Sequence, residues 1–108
     1  MKLIDLEPSF LKIVDDSCNH RIDNIKDADG IVFLCPACYL KNKGPVGTHS
    51  IICWQPHIEL KSYRTGPGRW KFLGSGYNDL TLQAGSNSIF LKNDCAAHFF
   101  ITNGEITW

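Results

Sequence analysis

A chain of 108 residues with eleven basic and eleven acidic side chains has room for one core and no net charge. That balance argues against the positive footprint of a nucleic-acid binder, and the mild basic bias of Lys41, Lys43, Lys61, Arg64, Arg69 and Lys71 reads as a solvated face. No apolar run approaches the roughly 20 residues of a spanning helix, no leader-like stretch follows Met1, and the five cysteines are an odd number, so a soluble protein of a reducing, cytoplasmic compartment is expected, with no membrane partner.

In chain order, Leu3, Leu6, Phe10, Ile13 and Val14 recur at mixed three- and four-residue spacing, which predicts one short helix or an irregular packed arm. Residues 15–30 are mostly polar and read as an exposed connection holding at most one brief strand, with Cys18 and His20 in it. Ile31–Leu34 is a continuous apolar run and fits a buried strand. It leads into Cys35-Pro36-Ala37-Cys38, after which Lys41-Asn42-Lys43-Gly44-Pro45 argues against a helix. Further strands are expected at His49–Trp54, Arg69–Leu73, Leu80–Leu82, Ser88–Leu91, Ala97–Thr102 and Glu105–Trp108. Asn103-Gly104 between the last two is a strong two-residue hairpin signal, because both positions tolerate positive φ. The fold class expected is mainly β, a small antiparallel β-sandwich or open barrel with a zinc knuckle and at most one or two short helices.

The chemistry concentrates in two cysteine clips. Cys35 and Cys38 lie two residues apart, and Cys95-Ala96-Ala97-His98 repeats the gap far downstream. Each clip points two soft donors the same way, so Cys35, Cys38, Cys95 and His98 form the expected tetrahedral set for a structural Zn²⁺. His49 and Cys53 follow the first clip closely and are the alternatives to His98 as fourth ligand. A thiol-redox reading of Cys-Pro-x-Cys needs a helix directly after it, which the sequence argues against. Cys53 otherwise reads as a small buried hydrophobe and Cys18 as a surface residue. His57-Ile58-Glu59 has the His-x-Glu of zinc deaminases, but here the cysteine pair precedes it, so both residues read as a solvated loop.

These motifs resemble a family of small phage, prophage and bacterial proteins. The pattern runs through Cys35–Cys38, Gly47-Thr48-His49, Gly68-Arg69-Trp70, Asp79-Leu80-Thr81-Leu82, Ser88-Ile89 and Cys95–Phe99, and closes at Asn103–Ile106. The likeness covers roughly residues 30–108, which divides a single zinc-binding β domain into an N-terminal arm (1–30) and a core (31–108). Members are often labelled ammonia monooxygenase, a name at odds with a chain lacking a spanning segment and a carboxylate-and-histidine metal cluster. The chain is also similar, more loosely, to the BubE-type peptidase of bacterial ubiquitin-like conjugation operons, which implies a zinc-stabilised serine hydrolase acting on a protein substrate. On that resemblance Ser88 is the nucleophile. The residues then offer His49 or His98 as the base, His49 if zinc takes His98, and Asp79 as the acid that orients it. The other expectation is a non-catalytic zinc-ribbon-like module that binds or blocks a host protein, using aromatic residues such as Trp54, Trp70, Tyr63, Tyr77 and Trp108 if they are exposed.

Overall fold

The computed structural model describes residues 1–15, 18–57, 69–83, 89–90 and 98–108, with the backbone alone for 89–90. The chain opens with a 3-10 turn, Leu3–Leu6, whose Leu3 and Leu6 are buried. Glu7 in a left-handed conformation and Pro8 then end it. The next element is a strand, β1 (Ser9–Asp15), where the sequence spacing suggested a helix or irregular arm. The mixed spacing arises because the turn buries Leu3 and Leu6 and the strand buries Phe10 and Leu11. Phe10 and Leu11 are both buried on opposite faces of β1, Phe10 in the main core and Leu11 against Val32 and Trp54.

The larger sheet adds β2 (Cys18–Ile22), β3 (Gly30–Leu34) and β4 (Ser50–Trp54) to β1, in the order β2-β1-β3-β4 with every pair antiparallel. A seven-residue helix, α1 (Pro36–Asn42), caps the β3–β4 connection. Two smaller antiparallel sheets pair β5 (Lys71–Leu73) with β6 (Thr81–Gln83), and β7 (Ile89–Phe90) with β8 (His98–Thr102) and β9 (Glu105–Thr107). The fold is therefore mainly β and antiparallel, as expected. Its sheets are open, with no closed barrel among the described residues. No helix among those residues is long and apolar enough to cross a membrane.

Alternation along the strands decides what meets in the core. Phe10, Ile31, Phe33, Ile51 and Cys53 line the inner face of the larger sheet and pack with Leu80, Leu82, Phe99, Ile101 and Ile106 of the smaller ones. Phe10 stacks on Tyr77 with ring centroids 4.5 Å apart and donates its backbone N–H to the Tyr77 hydroxyl at 3.0 Å. Phe33 meets Phe99 edge-on at 6.2 Å. The expected hairpin joins β8 to β9, with Asn103 and Gly104 at φ 51° and 76°. A Cβ on Gly104 would collide with the Asn78 carbonyl oxygen, so this turn lies directly on the β5–β6 connection. The first residues tie to the same hairpin, with Leu3 N–H donating to the Gly104 carbonyl at 2.9 Å and Ile106 N–H to the Met1 carbonyl at 2.8 Å.

On the outer face, Leu11, Gly30 and Trp54 occupy one row across β1, β3 and β4. The indole of Trp54 lies over the bare glycine and forms a second cluster with Leu11 and Val32. Trp54 is thereby buried and not displayed. A Cβ on Gly30 would meet Trp54 Cε3 at 2.5 Å. Gly30→Ala should therefore destabilise the protein by about 1–3 kcal/mol through overpacking, read as a lower urea midpoint with an unchanged denaturant slope.

Candidate metal centre

The centre forms where the β3–β4 ladder runs past its last paired strand residues. Leu34 pairs with Ser50, and the next residues continue the register, with Cys35 N–H donating to the His49 carbonyl at 2.9 Å. Residues directly opposite in an antiparallel pair project to the same face with Cβ atoms about 5 Å apart, so the ladder brings Cys35 and His49 together. Cys35 is also the N-cap of α1, with Pro36 in the first helical turn, and Tyr39 N–H closes the first helical bond on the Cys35 carbonyl at 2.9 Å. Cys38 is the third helical residue. N-cap and third-position side chains are near enough to reach each other, the relation a capping box exploits. The Cys-x-x-Cys spacing thus becomes a sulfur pair because a helix starts at its first cysteine.

That helix corrects the sequence expectation. Gly44-Pro45 stops α1 without preventing it: two turns fit between Cys35 and Lys43, which takes a left-handed conformation at the helix end, while Gly44 N–H returns to the Tyr39 carbonyl at 3.0 Å. The return loop is held by Thr48, whose hydroxyl donates to the Gly44 carbonyl at 2.8 Å and accepts from Asn42 Nδ2 at 3.2 Å. His49 comes immediately after it.

The ligand atoms of Cys35, Cys38 and His49 all lie within 4.8 Å of one another, so these residues could hold a metal ion. Neighbouring donors on a tetrahedral zinc with bonds of about 2.3 Å to sulfur and about 2.1 Å to nitrogen sit roughly 3.4–3.8 Å apart, a contraction small enough for side-chain rotation. Cys35 is fully buried, and Cys38 and His49 are half-buried. Of the expected donors the structure therefore joins Cys35 and Cys38, and the imidazole it brings to them is His49. His98 begins β8 on the strand face opposite the buried Phe99, exposed, with its ring 6.0 Å from that of Phe100. Cys95 and Ser88 lie outside the described residues, as do Glu59 and Tyr63. Cys53 faces the core two residues past Ile51, and burial pushes its thiol far above the ordinary range.

Asp79 holds the turn after β5. Its carboxylate accepts from Ser75 N–H at 2.9 Å, from the Ser75 hydroxyl at 2.8 Å and from Gly76 N–H at 2.9 Å, and these bonds keep its pKa below the usual carboxylate value. A different carboxylate proves more consequential. Asp29, nearly buried at the start of β3, accepts from His57 Nε2 at 2.9 Å and from Ile13 N–H at 2.8 Å, with Lys12 Nζ at 3.6 Å. Burial alone would raise its pKa, but the bonds from His57 and Ile13 and the Lys12 charge outweigh it and the net shift is downward. His57, expected in a solvated loop, is exposed yet anchored. The Asp29-Gly30 pair reads as a turn signal in sequence, which conceals this role.

Compared with protein-family models, with curated proteins and with solved structures, the chain finds no match in any of the three.

Two outcomes test this geometry. Cys35→Ser and His49→Ala should each lower zinc affinity at least about 10-fold by competition with a chromogenic chelator, whereas His98→Ala should leave it within about twofold. Because the Asp29 pKa is depressed in the folded state, its contribution is complete above the unfolded carboxyl value of about 4 and drains as pH falls through the folded value. Urea midpoints from about pH 5 to about pH 2 should thus fall less steeply for Asp29→Asn than for the parent protein.

Proposed function

We propose that the protein is a zinc-stabilised β module that binds a protein partner through its knuckle and catalyses no reaction. The observation that carries the reading is the convergence of two sulfurs and an imidazole within 4.8 Å at the end of the β3–β4 hairpin. Soft sulfur and nitrogen donors suit Zn²⁺, and three thiolates with one histidine make a closed, structural site. Cys95, the first residue of the downstream clip in sequence, supplies the fourth donor, and His49 takes the place expected for His98. A domain of this length has a modest core margin, which a metal clip joining distant segments widens. A reducing cytoplasm, where thiolates persist, suits this donor set. The resemblance of Cys35–Cys38 and Cys95–Phe99 to the phage and prophage knuckle family agrees with the same reading.

The binding role rests on Leu40 and Val46, 53% and 87% exposed, which α1 and the loop after it present beside the metal group. Apolar side chains held out by a rigid, metal-pinned turn lose little entropy on association. The peptidase implied by the looser resemblance would need Ser88 as nucleophile with His98 as base, since His49 is committed to zinc. Its expected orienting acid, Asp79, already accepts from Ser75 and Gly76.

Purified protein should contain about one zinc per chain, and removal by a strong chelator should lower Tm by at least about 10 °C. A metal-free protein of unchanged Tm would overturn the structural zinc. A fluorophosphonate probe should label the parent and Ser88→Ala equally, and labelling lost only in Ser88→Ala would establish the hydrolase instead.

A further inference from the structure

We propose that the knuckle is an oxidant-triggered zinc-release switch, in which a hydroperoxide converts Cys35 and Cys38 into a disulfide. This rests on the zinc reading above and concerns the regulation of that same site. Two features point to it: the pair's geometry and its unequal exposure. Their sulfurs lie within 4.8 Å of each other on one helical turn. Cys35 is fully buried at the N-cap, while Cys38 is half-buried. An oxidant therefore reaches Cys38 first, and the sulfur positioned to resolve the product is already beside it.

The step balances without any further reactant. The Cys38 thiolate attacks the peroxide, the O–O bond breaks, and hydroxide or alkoxide leaves as the sulfenic acid forms. The Cys35 thiolate then attacks the Cys38 sulfur and displaces hydroxide. Two thiolates lose two electrons to form one S–S bond, and the peroxide gains both. A disulfide sulfur is a poor donor to Zn²⁺, so the ion loses both sulfurs of the upstream clip and departs to water.

The remaining described thiols are poor competitors. Cys53 is fully buried, and the desolvation that raises its pKa keeps it a neutral thiol. Cys18 opens β2 opposite Asp15, at the far end of β1 from where Ser9 pairs with Val32, so at about 3.3 Å per strand residue it lies more than about 20 Å from the knuckle. The consequence is local. A Cys35–Cys38 disulfide keeps the turn at the start of α1 but releases His49, and with it the pin between α1 and the entry to β4. Leu40 and Val46 then keep the Thr48 bonds to Gly44 and Asn42 and the Cys35–His49 backbone bond but lose the metal link, so oxidation loosens the proposed binding surface.

The experiment uses the full-length zinc-loaded chain, hydrogen peroxide, a chromogenic zinc indicator, and mass spectrometry of the alkylated, proteolysed product. The expected result is release of about one zinc per chain in step with a loss of about 2 Da on the peptide holding Cys35 and Cys38, with both reversed by a dithiol and added zinc. Cys18→Ser and Cys53→Ala should release zinc at the parent rate. Zinc retained while other thiols oxidise would overturn the switch and leave the zinc reading standing. Release accompanied by a disulfide to Cys95, or by sulfinic acid with no disulfide, would overturn the Cys35–Cys38 pairing. A chain that binds no zinc before peroxide is added would overturn the zinc reading itself, and the switch with it.

Discussion

The backbone bond from Cys35 N–H to the His49 carbonyl, one step beyond the last strand pair of the β3–β4 ladder, organises the rest of the structure. Register in an antiparallel pair is all or nothing: a slip of one residue would turn Cys35 and His49 to opposite faces and expose Ile31 and Phe33. The same alignment that buries the core thus builds the metal group. A zinc ion bound there would in turn lock the register, which couples metal binding to folding without a separate device.

The two ends of this hairpin are stabilised by different chemistry. At the knuckle end the chain turns through α1, and soft donors converge around a small volume. At the other end Asp29 collects a backbone N–H from β1 and an imidazole from the segment after β4, while Gly30 admits the Trp54 indole beside it. One end gathers donors that could hold a metal ion, and the other depends on an ionised carboxylate. Between them lie Phe10, stacked on Tyr77, and Phe33, edge-on to Phe99.

Burial sorts the cysteines into roles. Cys53 is deep enough that its thiol stays neutral, so it packs like a small apolar residue. Cys35 is equally buried, yet it sits at a helix start beside Cys38 and opposite His49. What separates the two is the neighbouring donor set. Cys35 and Cys38 also differ in exposure, Cys35 being buried and Cys38 half-buried.

Sequence alone determined the strands from Ile31 onward, the Asn103-Gly104 hairpin and Cys35 and Cys38 as a pair of donors that could hold a metal, since alternation, turn chemistry and ligand spacing are local properties. It misjudged residues 9–15 and 36–42 because competing local signals, a mixed apolar spacing in one and a downstream Gly-Pro in the other, are resolved by packing on both faces of β1 and by where a helix is allowed to stop. The choice of His49 as the imidazole beside Cys35 and Cys38 belongs to tertiary structure. His49 and His98 both have suitable spacings, and only the cross-strand register, which pairs residues 14 positions apart in sequence, decides which ring meets the sulfurs. The same holds for Asp29 and His57, 28 residues apart, whose contact no local pattern encodes.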